Sequence, residues 1–496
     1  MRSAKKILLF GAQPKLLFDA PLKSNLLLTR GVGAATFTRA SAATVTDFEG
    51  LIKNVNSGEA RFSGTRRVAN ILTNSEDFSI SPWSVGATAN VTNKTTLNLP
   101  NVGDSLYSLV SVGTSVGGAW TTSIVLSGSG TLHLLMQTNN GVAENDSIAI
   151  TLSSTPTRYS FSRTYLNSGH TSCWFYIKRD TGDTATSVLV GNVQIENVTG
   201  QSNKNPSEYV SVGVLSSPYH GANVDGVKYF TYENGNTVSS NVVTEAQGVA
   251  IPESTLLGYL AEGNRINLLL QSETVATQNI TVTAQAYTLS SWGTGSITLS
   301  GTGSGTLNGT GANDRVSLTF TPTAGTLTLT VTGSCTKGQT EAGTFASSYI
   351  PTTTASVTRA ADALSYPVLN NQFDLAGSIY LEVSATSWGN VAGNYLGDGT
   401  NYIAGSLTNN SGIKSFDGTN TVNGPTGTPA GTMKLAVAWG KGKITIAANG
   451  VLSIGTYDGA FSLASLKIGN GFYGNIKNVK IWNKALRDAK LKELTR

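Results

Sequence analysis

The chain has 496 residues, of which 13% are charged and 39% hydrophobic, with 55 glycines and a formal net charge of +5. This length provides for three or four domains of ordinary size, and the many β-branched and aromatic residues exclude an intrinsically disordered chain. The basic residues are mostly scattered, which argues against nucleic-acid binding. No window approaches the ~20 apolar residues of a membrane-spanning helix, so we expect no membrane insertion.

The two cysteines, Cys173 and Cys335, lie 162 positions apart in different predicted domains. This spacing excludes a disulfide framework and a zinc site built from cysteine pairs. It also indicates synthesis in a reducing cytosol. The apolar run at residues 7–10 is too short for the core of a signal peptide. We therefore expect a soluble chain that is made in the cytoplasm and is not exported by the usual route.

Residues 1–66 show no regular periodicity and are predicted to be an extended N-terminal segment. Its stretches, such as residues 30–66, are too irregular to form a core of their own. We predict that they become ordered by lying against, or adding strands to, a neighbouring domain or chain.

An internal repeat follows this segment. The first copy opens with Arg67-Val-Ala-Asn-Ile-Leu-Thr-Asn-Ser-Glu76 and the second with Asn264-Arg-Ile-Asn-Leu-Leu-Leu-Gln-Ser-Glu273. Each copy then contains a tryptophan and closes with a Gln near a Glu, followed by a tyrosine. Alternating polar and apolar residues between Gly-rich turns predict short strands. We predict two jelly rolls, at residues 67–212 and 263–362, joined by an extended bridge at 213–262; the second copy is shorter and is expected to lack several strands.

Residues 368–496 are predicted to form one further sandwich of two sheets, since about 130 residues suit that architecture. The Asn449-Gly450 pair is a strong hairpin signal. Residues 483–494 combine apolar positions at helical spacing with charged residues and predict a short C-terminal helix. The predicted fold class is therefore all-β, with tandem jelly-roll and β-sandwich domains, an extended N-terminal segment and a short C-terminal helix.

Candidate catalytic residues do not form a recognisable pattern. The histidines, at positions 133, 170 and 220, are too few and too scattered for a metal cluster. The carboxylates that could serve glycoside cleavage show no spacing typical of a catalytic pair; they are Glu144 with Asp146, Asp398 with Asp417, and Glu208. We predict that the chain is not an enzyme, with a glycan-degrading depolymerase as the less favoured alternative.

A loop-rich stretch contains aromatic residues that could stack on sugars. Trp388, Tyr395 and Tyr402 are the candidate glycan platform, because a flat exposed ring packs against the apolar face of a pyranose. The alternative for these rings is core packing, which is also the expectation for Trp83 and Trp174. No cofactor is predicted, although Asp374, Asp398 and Asn401 could contribute to a calcium site.

Three stretches resemble known proteins. Residues 37–52, 58–62 and 67–78 resemble a segment common in structural proteins of tailed bacteriophages, namely the head spike or head fibre family and related tail fibres. Residues 341–352, followed by 357–362, resemble the end of a jelly roll of the carbohydrate-binding-module type. Residues 473–486 resemble the closing strand and helix of a laminin-G or concanavalin-like sandwich.

This resemblance implies a virion protein made in the host bacterial cytoplasm. It would be a head fibre, spike or capsid decoration protein, with a tail fibre or receptor-binding adhesin as the alternative. Residues 1–66 would contact capsid or tail subunits, the chain would be a homotrimer, and host-surface polysaccharide would be a possible ligand. No catalytic residues are implied.

Overall fold

The computed structural model describes residues 13–111, 117–138, 144–166, 172–214, 220–233, 236–237, 251, 253–372, 375–388, 393–406, 412–426, 431–457 and 459–496. The chain divides into two compact units. One comprises Met1–Val45, Ile52–Ser63 and Leu257–Arg496, and the other comprises Thr46–Leu51 and Gly64–Leu256. Antiparallel β-structure dominates the described parts of both units, which confirms the predicted fold class.

Many strands in the N-terminal half of the chain are short. The N-terminal stretch contributes β1 (Leu16–Ala20), β2 (Thr36–Thr38), β3 (Ala43–Thr46), β4 (Ile52–Val55), β5 (Phe62–Ser63) and β6 (Arg66–Ala69). The first copy of the repeat continues with β7 (Trp83–Gly86), β8 (Asn90–Thr92), β9 (Thr96–Asn98), β10 (Ser105–Ser111), β11 (Ala119–Gly128), β12 (Thr131–Thr138), β13 (Asn145–Thr151), β14 (Thr157–Thr164), β15 (Ser172–Lys178) and β16 (Ser187–Asn197). The region before the second copy contributes β17 (Val227–Phe230), β18 (Tyr232–Glu233), β19 (Asn236–Thr237) and β20 (Gly258–Ala261).

The second copy consists of β21 (Arg265–Asn267), β22 (Gln278–Val282), β23 (Tyr287–Gly293), β24 (Ser296–Gly301), β25 (Gly305–Asn308), β26 (Gly311–Phe320), β27 (Gly325–Thr332), β28 (Cys335–Ala342) and β29 (Val357–Arg359). The C-terminal region contributes β30 (Ala363–Tyr366), β31 (Gly377–Ala385), β32 (Gly393–Gly397), β33 (Tyr402–Ser406), β34 (Ile413–Phe416), β35 (Thr421–Asn423), β36 (Met433–Gly440), β37 (Gly442–Ala448), β38 (Val451–Tyr457), β39 (Leu466–Asn470), β40 (Gly474–Trp482) and the helix α1 (Asp488–Leu494). No helix in the described part of the chain is long and apolar enough to cross a membrane.

The first copy folds as a sandwich of two sheets. Their strand orders are β13-β12-β15-β10-β7 and β14-β11-β16-β9-β8. The period-two pattern of the sequence decides which side chains face inward. In β12, for example, Leu132, Leu134 and Met136 are fully buried, whereas the residues between them are half-buried on the outer face.

The second copy repeats this strand plan in a shorter form. Its sheets have the orders β22-β27-β24-β25 and β26-β23-β28. In chain order β22 to β28 correspond to β10 to β16, and the pairings between neighbouring strands are the same in the two copies. Counterparts of β7, β8 and β9 are missing from the described second copy, in agreement with the predicted loss of strands.

The repeated Asn and Gln of the motif close each sandwich in the same way. The Asn267 side-chain amide donates to the carbonyl oxygens of Gly338 and Ile350, both at 2.9 Å. Asn70 makes the matching bonds in the first copy, at 2.9 and 3.0 Å. Gln194 and Gln339 each accept a backbone N–H at 2.7 Å from the segment after the last strand. The Asn and Gln of the motif therefore have a structural role, since their side chains bond backbone groups of the last strand and of the segment after it.

Apart from β3 and β4, which pair only with each other, the remaining strands of the first-named unit form a larger sandwich, which we call the large sandwich. Its sheets have the orders β38-β37-β36-β31-β40-β20-β5, with β1 also paired to β40, and β2-β30-β39-β32-β33-β34-β35. The N-terminal strands β1, β2 and β5, and β20 from the predicted bridge, therefore belong to the same sheets as the C-terminal strands. The large sandwich is assembled from separate stretches of chain, whereas the predicted boundaries at 66, 263 and 368 treated each domain as continuous. Attachment of residues 1–66 to a particle stays a prediction.

A buried charge cluster holds the N-terminal strands to the rest of the large sandwich. Asp362 accepts hydrogen bonds from Arg39, at 2.9 Å, and from Arg61. Glu262 lies 2.9 Å from guanidinium nitrogens of Arg61 and of Arg359. All five side chains are at most 1% exposed. Because an unpaired charge is very costly in such surroundings, these residues stabilise the fold only as a complete set; we call them the root cluster.

Acid is expected to weaken the root cluster. Burial by itself would raise the pKa of Glu262, but the Arg359 and Arg61 guanidiniums outweigh burial and lower it from 4.5 to about 2. A carboxyl with a lowered pKa contributes stability that is fully present above about pH 4.5 and is lost as the pH falls toward 2. We expect Glu262 to contribute about 3 kcal/mol to the complete loss, of which about 2 kcal/mol is lost by pH 3. Urea unfolding at pH 7, 5 and 3 measures it, and Glu262→Gln should flatten the dependence; an unchanged slope in that variant would contradict the assignment.

Candidate functional site

Two of the three rings predicted to form a glycan platform are core residues. Tyr395 is 1% exposed and Tyr402 is 8% exposed, since each points into a sandwich from its strand. The Tyr395 ring meets Phe472 edge-on at 5.1 Å, and the Tyr402 ring lies 5.7 Å from Phe416. Their faces are therefore occupied, and the platform hypothesis is wrong for these two residues. Trp388 is half-buried just beyond β31, and its role stays a prediction.

The residues proposed for calcium form a turn instead. One carboxylate oxygen of Asp398 accepts backbone N–H groups of Thr400 and Asn401, at 2.9 and 2.7 Å, and the other accepts that of Ala464 at 3.2 Å. Such bonds are typical of an Asp that shapes a loop. Asp374 lies outside the described residues. Among the residues that are described, no group of three His, Cys, Asp or Glu side chains is placed to hold a metal ion.

The carboxylates considered for glycoside cleavage are engaged in structural contacts. Glu144 pairs with Arg163 at 3.1 Å, and Glu208 pairs with the buried Arg66. The Asp417 carboxylate accepts backbone N–H groups and the Tyr457 hydroxyl, the latter at 3.0 Å. Of their companions, Asp146 is exposed on β13. The expectation that the chain is not an enzyme stays a prediction.

A different set of aromatic residues is exposed on the outer face of the first sandwich. In β15 the side chains of Cys173, Phe175 and Ile177 are fully buried, so Trp174 and Tyr176 between them face outward. Tyr107 of β10 lies directly opposite Tyr176 on the same face. All three rings are only partly buried. We call Tyr107, Trp174 and Tyr176 the aromatic face.

The three rings form a compact triangle. The Tyr107 ring centroid lies 5.5 Å from that of Trp174 and 5.2 Å from that of Tyr176, and the last two are 6.4 Å apart. The ring planes are inclined to one another by 69°, 36° and 39°. Further outward residues extend the surface: Leu135 is opposite Tyr176, Gln137 is opposite Trp174, and Leu109 of β10 is 44% exposed. The aromatic face thus lies beside the side-chain amide of Gln137, which can donate and accept hydrogen bonds.

The charged groups at one margin of the face are paired. Lys178, two residues beyond Tyr176, lies 2.6 Å from the carboxylate of Asp180. His133, opposite Lys178 in the sheet, has its Nδ1 2.8 Å from Asp183. Burial by itself would raise the pKa of Asp183, but hydrogen bonds from His133 and from the Asp180 backbone lower it. Asp183 is therefore ionised at neutral pH and accepts a hydrogen bond from the Nδ1–H group of His133.

The corresponding sheet of the second sandwich carries no ring on its outer face within the described residues. Hydroxyl and amide side chains occupy this face, and most of them are exposed: Asn279, Thr281, Thr298, Ser300, Thr306, Thr326, Thr328, Thr330 and Thr332. The two copies thus share a strand plan but differ in the chemistry of one face. This comparison separates the aromatic face from features that the fold itself requires.

Sequence reasoning missed the aromatic face although its signal was present. Residues 173–178 alternate strictly, with Cys, Phe and Ile on one side and Trp, Tyr and Lys on the other. A strand of this kind has one buried face, and the lysine indicates which side is exposed. The core was the expected place for Trp174 because tryptophan is usually well buried. The pairing with Tyr107, 67 positions earlier, could not be read from the sequence.

No family model matches the chain, and no curated protein matches it either. Solved structures with some similarity include a CBM4 module, at 14% identity over 27% of this chain and 94% of that one, with a TM-score of 0.20. The CBM22-1-CBM22-2 tandem domain of Xyn10C from Paenibacillus barcinonensis shares 11% identity over 60% of this chain and 97% of that one, with a TM-score of 0.23. Domains LG4-5 of the mouse laminin alpha1 chain share 9% identity over 82% and 93%, with a TM-score of 0.20. Likeness at this level concerns the all-β sandwich fold alone.

Proposed function

We propose that this chain binds glycans through the aromatic face of its first sandwich. The observation that carries the proposal is the triangle of partly exposed rings, whose centroids lie within 6.4 Å of one another. Aromatic rings stack on the apolar face of a pyranose, and neighbouring polar groups then bond its hydroxyls. Gln137, beside Trp174, is in position to do so.

The ligand class follows from charge and ring orientation. Lys178 is paired with Asp180 and the His133 ring is hydrogen-bonded to Asp183, so both side chains are already engaged by carboxylates of this chain instead of by a sugar carboxylate or sulfate. The ring planes differ by 36° to 69°, so they cannot all lie against one flat crystal surface. The proposed ligand is therefore an individual, uncharged polysaccharide chain.

The test is binding of the full chain to soluble polysaccharides by affinity electrophoresis. Neutral glucans, mannans and xylans should include at least one that retards the chain, and carboxymethylation of that polymer should weaken the effect. Equal retardation by the neutral and the charged forms would contradict the ligand class. Absence of retardation by any neutral polymer would contradict the proposal itself.

We further propose that the chain is carried on a tailed-bacteriophage particle as a head fibre or spike, with a tail fibre as the alternative. The support is the sequence resemblance of residues 37–52, 58–62 and 67–78, a region that contains Arg39 and Arg61 of the root cluster. Mass spectrometry of purified particles, followed by immunogold labelling, tests it. Label on heads supports the first form and label on tails the alternative, whereas absence of the chain from particles contradicts both. After release from the particle, the protein should have the mass of three chains, as expected for a homotrimer.

A further inference from the structure

We propose that the first sandwich is an independent recognition module inserted into the large sandwich, which folds without its help. Its use in recognition rests on the proposed function, whereas its independence rests on the chain path. Apart from the short segment Thr46–Leu51, which also belongs to the unit of the module, the chain leaves the large sandwich after β5, forms the first sandwich, and returns at β20.

The two ends of the insertion meet within the large sandwich. Ser63 and Gly258 are paired residues of β5 and β20. The Leu257 N–H donates to the Ser63 carbonyl oxygen at 3.2 Å, and the Leu260 N–H donates to that of Arg61 at 2.9 Å. These bonds close the gap left by residues 64–256, so the large sandwich has a continuous sheet across the insertion point.

The ends also meet on the side of the module. Gly64 has a φ of +75°, and a Cβ at this position would lie 1.5 Å from the carbonyl oxygen of Thr255. Only glycine at position 64 allows the two chain segments to approach so closely. Phe48, in the short segment 46–51, packs on Ile251 and Leu256 of the same unit. The first and last residues of the insertion are therefore held close together within the module itself.

Each part has its own core. The apolar core of the module runs from Leu72 to Ile195 and contains fully buried residues such as Leu126 and Leu134. Neither sheet of the large sandwich includes a described strand from residues 64–256. A compact unit with a separate core and adjacent ends can unfold without its host. The second copy likewise lies between two strands of the large sandwich, β20 and β30, and its ends meet where the Asp362 N–H donates to the Glu262 carbonyl oxygen at 2.9 Å.

The consequence is that the aromatic face can change without altering the large sandwich. Differences in ligand preference would then require changes only within residues 64–256. Residues 64–256 would then recognise the ligand, and the large sandwich would provide structural support.

Calorimetry of the full chain tests the inference with a matched pair of variants. Leu126→Ala removes a buried side chain from the module core, and Val437→Ala removes one from the large sandwich. We expect separate unfolding transitions, each variant lowering only its own by roughly 5–15 °C. A saturating neutral glycan should raise only the transition that Leu126→Ala lowers.

The outcomes separate the two claims. One cooperative transition that both variants lower would overturn the independence of the module. Separate transitions that respond to the variants but not to any glycan would leave the module in place and overturn its role in recognition. A glycan that raises the transition lowered by Val437→Ala would place the binding site outside the module and overturn the inference.

Discussion

Replacing Trp174 by alanine is expected to lower the affinity of the full chain for its glycan about 10- to 100-fold. This corresponds to about 1–3 kcal/mol, the range for an aromatic residue at the centre of a binding surface. Trp174 is near both Tyr107 and Tyr176, with ring centroids at 5.5 and 6.4 Å. Because its side chain faces outward from β15, its removal should shift the unfolding temperature by only a few degrees.

Isothermal titration calorimetry of the wild-type chain and its variants measures this effect. Thr330→Ala is the matched control, since Thr330 is an exposed outward residue on β27, the strand that corresponds to β15 in the second sandwich. We expect Thr330→Ala to bind as the wild type and Trp174→Phe to retain part of the affinity. Equal affinities for wild type and Trp174→Ala would show that Trp174 is not part of the glycan-binding site.

The aromatic residues illustrate what a sequence can and cannot place. Alternation in β15 was enough to assign Trp174 and Tyr176 to one face, but it could not show that Tyr107 joins them. Tyr395 and Tyr402 lie in a stretch rich in Gly and Asn, which suggested exposed loops. In the structure this stretch contains two paired strands, β32 and β33, with a short turn between them. Local composition therefore predicted exposure where long-range pairing produces burial.

The architecture shows the same division between local and long-range information. Strand content, the internal repeat and the terminal helix depend on nearby residues, and their patterns were readable. The partners of the N-terminal strands were not, because Leu16 pairs with Trp482 and Phe37 with Leu364 across more than 300 residues. Residues 1–66 were expected to need a neighbour in order to become ordered. The described strands of that segment find this neighbour within the chain itself.

Replacing Asp362 by asparagine is expected to destabilise the large sandwich by about 3–5 kcal/mol, because it leaves buried guanidiniums without their partner. Asp362 accepts hydrogen bonds from Arg39 and Arg61 and also receives the backbone N–H of Glu262 at 3.0 Å. Asparagine keeps the shape and one acceptor oxygen, so the expected loss reports the charge rather than a cavity. Urea unfolding at pH 7 measures the change in free energy.

Asp488→Asn is the control for charge removal at the surface. Asp488 pairs with Lys443 at 2.7 Å, but their side chains are 36% and 47% exposed. Exposed pairs contribute at most about 1 kcal/mol, so this variant should unfold almost as the wild type does. Glycan affinity should be unchanged in both variants, because neither residue lies in the first sandwich. A loss in Asp362→Asn no larger than that in Asp488→Asn would mean that the root cluster does not hold the N-terminal strands in place.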